Sequence, residues 1–313
     1  RRGRKVTSVD AVRGVDFAVR PGEIFGFLGP NGAGKTTTLR MLATLLRPDD
    51  GEATIAGVDL RRDPAEVRKR IGFVAQSSGT YYTSTSRIDL VYQARMYGFS
   101  KAAAKDLAEA AIVAFQLETF VDRKISTYSG GQRRRLDVAL GVIHSPQVLF
   151  LDEPTAGLDP QSRARMWQEV RRLRDEGMTI FLTTHYLEEA DALCDRISII
   201  DAGLIVAEGT PSDLKREISG DVIIVDLAAP NTAGAPEPAA MLEASKVLVE
   251  QSCVQSCETI EHTLWLYVDS GDTAIPQIMR ALSNKGIEPG AIKSRRPSLD
   301  DVFLAKTGRT LAD

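Results

Sequence analysis

The chain has 313 residues, of which 43% are hydrophobic and 26% are charged, and its formal net charge at pH 7 is −3. This length and apolar content predict a globular protein of about two domains. The acidic balance argues against a general nucleic-acid binder, because such proteins carry a net basic face. No apolar run approaches the length of a membrane span and no signal peptide is recognisable, so we expect a soluble, intracellular chain that reaches a membrane only through a partner.

The first predicted elements are two strands and a helix. Val15, Phe17 and Val19 alternate with polar or small residues, which predicts an antiparallel strand. The apolar run at 24–28 predicts a buried strand. A helix is predicted over 37–46, because leucines at helical spacing share one face there.

A glycine-rich loop lies between the buried strand and this helix. It fits the phosphate-binding pattern G-x-x-x-x-G-K-[ST] at every fixed position, with the residues Gly29, Pro30, Asn31, Gly32, Ala33, Gly34, Lys35 and Thr36. Glycines let backbone N–H groups curl around phosphates, and the helix N-terminus adds its positive dipole. We expect Lys35 to reach the β- and γ-phosphates and Thr36 to bind Mg²⁺. The flanking strand and helix argue against a chance glycine-rich turn.

A helical region follows the next strand. A short helix and a strand lead to Gln76, after which the composition turns to Ser, Thr, Gly and Tyr. Helical patterns then occupy 88–97 and 101–117. We expect residues of about 77–145 to form a helical subdomain inserted in an α/β core.

A second glycine-rich element lies near the end of this subdomain. It is predicted to start a helix whose exposed N–H groups bind an anion, through Ser129, Gly130, Gly131 and Gln132. The arginines at 133–135 are interpreted as a solvated face of that helix. The P-loop of the same chain already holds a phosphate from one side, so two chains placed head to tail would bring this helix N-terminus to the γ-phosphate held by the partner.

Two carboxylates and a histidine follow strands of the predicted core. The apolar run at 148–151 predicts a parallel strand buried on both faces, and it ends in Asp152 and Glu153. Functional groups of α/β sheets lie at such carboxyl ends. The next strand is predicted over 178–183, with His185 just past its end. Each of these side chains taken alone could equally be structural.

The rest of the chain predicts a second, smaller domain. A hairpin turned at 201–203 and a helix opened by Pro211 complete a first domain over 1–219. From there the order strand, helix, strand, strand, helix, strand predicts a ferredoxin-like α+β domain over 220–313. Ser298 is predicted to cap a last helix.

The cysteines and the remaining histidines match no motif. Cys194, Cys253 and Cys257 form no C-x-x-C pair, which argues against a disulfide or zinc site and favours packing. His144 and His262 are interpreted as structural.

Taken together, the motifs resemble those of the ATP-binding subunit of an ATP-binding-cassette (ABC) transporter. They occur in the family's order: GPNGAGKTT, Gln76, YSGGQ, VLFLDEP, the GLD that ends at Asp159, and His185. The resemblance covers about 16–214. It implies a P-loop NTPase of ABC type, with antiparallel β and α-helical subdomains, that hydrolyses ATP with Mg²⁺.

The resemblance also implies a role for each motif residue around the phosphates. Lys35 and the loop amides up to Thr37 resemble the phosphate cradle. Thr36 and Gln76 resemble Mg²⁺ ligands, and Asp152 resembles the carboxylate that holds the metal through its water.

Three further roles follow from the same resemblance. Glu153 resembles the general base that polarises the attacking water, for which it must lie within one water of the γ-phosphate. His185 resembles the switch histidine that contacts the γ-phosphate. Asp159 resembles the residue that crosses the dimer interface to align the partner's site.

One position departs from the family's pattern. The family places an aromatic residue upstream of the P-loop to stack on adenine, and this region reads Arg2-Gly3-Arg4 here. Phe17 is the nearest aromatic residue and falls in the strand pattern. Either the chain begins after the stacking residue or an arginine plane replaces it, which leaves base selectivity open.

A narrower resemblance covers the whole length. The stretches YSGG, TTHYLEEADALCDRI and PSLDDVF resemble the daunorubicin-resistance type of bacterial drug exporter subunit. It implies a homodimer that lies peripherally on the cytoplasmic face of the cell membrane and drives export of a drug or other small molecule through a separate transmembrane permease. The C-terminal domain is then an accessory element.

Two other functions are weighed against this one. A soluble ABC-type switch acting on ribosomes or DNA usually carries two cassettes, long coiled-coil or zinc insertions, and this chain shows one cassette. A catalytically silent regulator is disfavoured by the intact Lys35, Asp152, Glu153 and His185. Co-purification with a permease, or with ribosomes or DNA, separates the first two functions.

Overall fold

A computed structural model describes residues 10–77, 83–217, 220–227, 238–260, 263–295 and 297–308. The Arg2–Arg4 region, His262 and part of the segment rich in Ser, Thr, Gly and Tyr that follows Gln76 lie outside these residues. The chain divides into two compact units between Pro211 and Ser212. The sequence places this boundary at 219, so the helix opened by Pro211 falls largely in the second unit.

A six-stranded, mostly parallel sheet forms the centre of the first unit. Its strands are β1 (Ile24–Leu28), β4 (Ile71–Val74), β5 (Val148–Asp152), β6 (Thr179–Thr184), β7 (Arg196–Asp201) and β8 (Leu204–Gly209), while β2 (Thr54–Ile55) and β3 (Val58–Asp59) form a separate hairpin. The spatial order is β4-β5-β6-β1-β7-β8, and only the β7–β8 pair is antiparallel. The segments that follow β1, β4, β5 and β6 therefore start from one edge of the sheet.

Helices surround this sheet and form the inserted subdomain. They are α1 (Lys35–Leu42), α2 (Pro64–Arg70), α3 (Ser86–Met96), α4 (Lys101–Ala114), α5 (Gly130–Val142), α6 (Pro160–Asp175) and α7 (Leu187–Leu193), followed by α8 (Pro211–Glu217) at the unit boundary. Five of them begin at a side chain that accepts a hydrogen bond from a first-turn N–H group, namely Asp63, Thr85, Ser100, Ser129 and Asp159. Local capping thus determines where these helices start.

The predicted strand around Phe17 is wrong. Residues 12–20 join no sheet in the part of the chain that the structure describes. Val15, Phe17 and Val19 pack instead, partly buried, against the central apolar cluster, where the Phe17 ring lies 5.5–5.7 Å from three phenylalanine rings of the sheet. The alternation reflects one face turned to the core and needs no neighbouring strand.

The helix after the P-loop is shorter than predicted. It ends at Leu42, because Thr44 adopts a left-handed conformation with φ 62°, which stops a helix. Leu46, expected on the buried face, is exposed. The short helix predicted before the strand that leads to Gln76 is confirmed over Pro64–Arg70.

The second unit has the predicted ferredoxin-like order. Its elements are β9 (Val222–Leu227), α9 (Pro238–Val249), β10 (Val254–Ile260), β11 (Thr263–Val268), α10 (Gly271–Ser283), β12 (Pro289–Arg295) and α11 (Leu299–Thr307). The antiparallel sheet runs β10-β11-β9-β12. Cys253 and Cys257 pack partly buried against its core, and Ser298 caps α11 as predicted.

In the described ranges, no helix combines the length and apolarity that crossing a bilayer requires.

Candidate nucleotide site

The P-loop leaves the end of β1 and enters α1 through glycines with positive φ. Gly34 caps α1 with φ 104°, and a Cβ atom there would lie 2.5 Å from the Ala11 carbonyl oxygen. Gly32 has φ 82°. Glycine is the residue that adopts these angles without strain, so the loop can turn its N–H groups inward and present the N-terminus of α1.

Lys35 lies folded back over this loop. Its Nζ donates to the carbonyl oxygens of Gly29 at 2.7 Å and Pro30 at 2.9 Å, and its side chain is 4% exposed. Glu153 Oε1 lies 3.9 Å from the ammonium. Burial lowers the pKa of Lys35, while the nearby Glu153 and Asp152 carboxylates oppose that shift. The ammonium thus lies by the loop and near the predicted general base Glu153 and the predicted metal ligand Asp152.

Strand register brings the carboxylates beside the P-loop. Thr183 of β6 pairs with Asp152 of β5, and Thr184 pairs with Leu28, the residue before the loop. Asp152 Oδ1 accepts from the Thr36 hydroxyl at 3.0 Å and from the Thr183 hydroxyl at 2.7 Å. This partly buried pair of hard oxygen atoms fits Mg²⁺, which is usually bound by one or two carboxylates together with substrate phosphates.

Glu153 lies at the centre of the predicted residues. Its Oε1 contacts His185 Nδ1 at 3.0 Å, and its Oε2 accepts from Gln76 Nε2 at 2.7 Å. Glu153 has φ 44°, a left-handed conformation that is strained for a residue with a side chain. Such strain is typical of functional positions held by their surroundings.

The glycine-rich helix start forms a second group. The Ser129 hydroxyl accepts from the Gln132 N–H at 3.2 Å, and the Gln132 side chain accepts from the Ser129 N–H at 3.0 Å. Asp159 caps α6 by accepting from the N–H and hydroxyl of Ser162, and these bonds lower its pKa. A cleft of about 260 Å³ lies between the two helix starts. The structure therefore brings together the P-loop, Gln76, both carboxylates and His185, and places Ser129, Gln132 and Asp159 around a separate cleft.

The predicted solvated position of Arg134 is wrong. It is expected on a solvated face, but it is 6% exposed and donates three hydrogen bonds to backbone carbonyl oxygens. One of three consecutive arginines on a helix must face differently from the others, because each residue turns by about 100°. Arg134 shares a helix face with Val138 and Gly141, and that face is buried where α5 packs on the sheet.

Two further titratable groups lie outside the motifs. His144 stacks on Tyr97 with ring centroids 3.6 Å apart, and its Nε2 contacts the Ile71 carbonyl oxygen at 2.9 Å, so it has a packing role. Glu189 is fully buried and accepts from the Thr155 hydroxyl at 2.8 Å. Burial raises the pKa of Glu189.

Comparison with known proteins identifies the family. Residues 12–156 match the sequence model of the ABC transporter family. The chain is 43% identical over 299 residues to the daunorubicin resistance ATP-binding protein DrrA2 of Streptomyces coeruleorubidus, covering 95% of this chain and 90% of that protein. The chain belongs to the ABC transporter family.

Other similar proteins agree that this chain is an ABC subunit. It is 42% identical to the daunorubicin/doxorubicin resistance ATP-binding protein DrrA of Streptomyces peucetius, over 97% of this chain and 89% of that protein. Residues 209–307 match the DrrA1-3-like C-terminal domain. A solved ATP-binding cassette, a dimer in a post-hydrolysis state with ADP and Pi, shares 26% identity with a TM-score of 0.58, covering 64% of this chain and 90% of that one.

These findings confirm the predicted family, the ABC-type P-loop fold and the class of enzyme, an ATPase. Within the family, the relatives confirm the narrower resemblance to the daunorubicin-resistance type. They give no support to a switch acting on ribosomes or DNA.

Proposed function

We propose that two copies of this ABC subunit bind ATP and Mg²⁺ between them and hydrolyse the ATP to drive export of a drug or other small molecule through a separate transmembrane permease. The convergence on Glu153 of side chains that follow three other strands supports this function. They are the side chains of Lys35, Gln76 and His185, with the Thr36–Asp152 pair adjacent.

Glu153 is the proposed general base. Its carboxylate is held by groups from two other strand ends, Gln76 after β4 and His185 after β6. A base held this way can polarise a water beside the γ-phosphate without first reorienting. Lys35 lies close enough to balance the negative charge of the carboxylate and of the phosphates.

Thr36, Gln76 and Asp152 are the proposed metal group. Mg²⁺ bound there would neutralise charge on the phosphates during transfer to water. Thr183 holds the Asp152 carboxylate in place from the neighbouring strand. The chemistry of this chain then depends on how rigidly Asp152 and Glu153 are held.

The other half of each site is proposed to come from a second copy. The first N–H groups of α5, at Gly130 and Gly131, have no intrahelical acceptor and can bind a phosphate. The capping box of Ser129 and Gln132 holds that helix start rigid. Asp159 lies across the adjacent cleft, where it can contact the partner. A head-to-tail homodimer would place this group over the partner's P-loop.

An apolar stripe on α3 is the proposed contact with the permease. Ile88, Tyr92 and Met96 recur at the i, i+4 spacing and are 48%, 68% and 82% exposed. Exposed apolar side chains in a row mark interaction sites. The stripe follows the segment after Gln76 in the chain, so the position of Gln76 could be coupled to a partner bound at the stripe. The subunit would then lie peripherally at the cytoplasmic face of the membrane.

A drug is the proposed transported compound, by likeness to the two relatives, which are named for resistance to daunorubicin and doxorubicin. Export of labelled daunorubicin from cells that express this subunit with its permease tests the proposal. Retention of the label equal to that of cells without the subunit would contradict it.

Glu153→Gln tests the catalytic site. The amide cannot take up a proton, so we expect ATP binding to persist and turnover to fall by about a hundredfold or more. Glu176→Gln is the matched control, because Glu176 is an exposed carboxylate paired with Arg172 at the end of α6. Undiminished hydrolysis by the Glu153 variant would remove Glu153 from this role.

Tyr92→Glu tests the docking stripe. A charge at its centre should abolish co-purification with the permease while leaving the ATPase activity of the isolated subunit unchanged. Val113→Glu on α4 is the control, because Val113 is an exposed apolar residue outside the stripe. Retained co-purification of the Tyr92 variant would exclude the stripe as the contact.

A further inference from the structure

An arginine of α5 points into the first unit toward the ends of two strands. Arg134 is buried, whereas Arg133 and Arg135 on either side are partly exposed. It lies five residues beyond Ser129, the capping residue of the helix. A charged side chain in this position must be satisfied by specific partners, because burial of an unpaired charge is unfavourable.

The partners of Arg134 are three backbone carbonyl oxygens. Nη1 donates to Ala75 at 2.5 Å, Nε to Pro154 at 2.8 Å, and Nη2 to Asp152 at 3.0 Å. Ala75 directly precedes Gln76, and the other two residues flank Glu153. One guanidinium thus joins the segments that carry the proposed base and a proposed metal ligand.

These bonds hold a strained backbone. Glu153, with φ 44°, lies between the two carbonyl groups that Arg134 binds. Its N–H is held from the other side by the Thr183 carbonyl oxygen at 3.1 Å. Strained conformations persist only where neighbours determine them, so Arg134 contributes directly to the direction of the Glu153 carboxylate.

The geometry requires an arginine. Guanidinium presents several N–H donors in a rigid planar fork, whereas a lysine ammonium is a point charge on a flexible stem. Burial lowers the pKa of Arg134, and the nearby Asp137, Glu189 and Asp152 carboxylates oppose this shift. A lysine could preserve charge but could not join three carbonyl oxygens at once.

We propose that Arg134 is a positioning residue that couples the two nucleotide sites of the dimer. The inference rests on the proposed function, in which the start of α5 serves the partner's nucleotide while Gln76 and Glu153 serve the chain's own. Arg134 joins these groups within one chain. A phosphate that draws the start of α5 toward the partner therefore moves Gln76 and Glu153 with it. Each site then responds to occupancy of the other.

The test compares Arg134→Lys and Arg134→Met in the full chain. Turnover is measured against ATP concentration, and ATP affinity is measured separately in the Glu153→Gln background. We expect kcat to fall on the order of 10- to 100-fold in both variants, with the ATP dissociation constant changed by less than about threefold. The Hill coefficient, expected above one in the wild type, should fall to one.

Arg171→Met is the matched control. Arg171 donates to the Ala192 carbonyl oxygen at 2.7 Å, between α6 and α7 and away from the site. Its loss removes an arginine–carbonyl bond of the same kind, and both kcat and the Hill coefficient should stay at wild-type values. Amide hydrogen exchange supplies a second readout: peptides over 75–77 and 152–155 should exchange faster in both Arg134 variants and at the wild-type rate in Arg171→Met.

Several results would overturn the inference. They are wild-type kcat and Hill coefficient in Arg134→Lys, a loss of ATP affinity in proportion to turnover, and a wild-type Hill coefficient of one. If Arg134→Met does not fold, Arg134→Lys decides. Failure of the proposed function is distinguishable, because Glu153→Gln would then retain turnover whatever the Arg134 variants do.

Discussion

Thr183→Val tests how the metal carboxylate is held. Thr183 is fully buried, its hydroxyl donates to Asp152 Oδ1 at 2.7 Å, and its Oγ1 also accepts from the Glu153 N–H at 3.2 Å. Valine has nearly the same shape, so the change removes these bonds without opening a cavity. A hydrogen bond to a charged group contributes about 1.5–3 kcal/mol to the free energy of unfolding.

The expected loss can be converted to a melting temperature. For a domain of this size each kcal/mol shifts Tm by about 2–4 °C, so Thr183→Val should melt about 3–12 °C lower. The freed Asp152 carboxylate should also bind metal less well. Removing such a supporting partner typically weakens metal affinity about 10- to 100-fold.

The assay pairs thermal unfolding with a magnesium titration of ATPase activity. Thr179→Val is the control at the other end of β6, where the hydroxyl accepts from the Gly22 N–H at 3.0 Å. It should cost about 0.5–1.5 kcal/mol and leave magnesium dependence unchanged. If Thr183→Val melts with the wild type and keeps its magnesium dependence, Thr183 does not orient Asp152 and the metal assignment loses its support.

Two further predictions concern a buried acid and the P-loop. Burial raises the pKa of Glu189, so its ionised form destabilises the folded state above that pKa, and the penalty disappears as pH falls toward the ordinary value of 4.5. Glu189→Gln should therefore unfold at equal or higher denaturant concentration than the wild type at pH 8, with the difference shrinking toward pH 5. A large loss of stability of this variant at pH 8 would show that the carboxylate is favourably paired. Gly34→Ala should impose about 1–3 kcal/mol of backbone strain and weaken ATP binding about 5- to 150-fold. Gly177→Ala is the control, because it carries similar strain at φ 94° with nothing near its Cβ. Unchanged ATP binding in this control would show that the Gly34 effect is local to the site, whereas an equal loss in both variants would show general destabilisation.

Local patterns were enough to place most elements and the P-loop. Helix starts at Asp63, Ser100 and Ser129 follow from single capping side chains. The loop after β1 follows from glycines at the angles that a phosphate cradle needs. Alternation misled at Phe17, because a segment that lays one face on a core shows the same period as a paired strand.

Burial of Arg134 depended on packing that no short window contains. Its three carbonyl partners come from residues remote in sequence, at the ends of β4 and β5. Composition does not show which of the three consecutive arginines is buried. Only the docking of α5 on the sheet separates the one that turns inward.

The sequence by itself determined which residues could hold phosphate and metal, because glycine conformation, capping and side-chain chemistry act over a few residues. The tertiary structure decided that these residues meet. The parallel pairing of β4, β5, β6 and β1 sets Asp152 beside Thr183 and His185 beside the P-loop, and that register brings Glu153 within reach of Gln76 and Lys35. Contacts between distant residues depend on how whole elements pack, and a one-residue slip in register would have separated them.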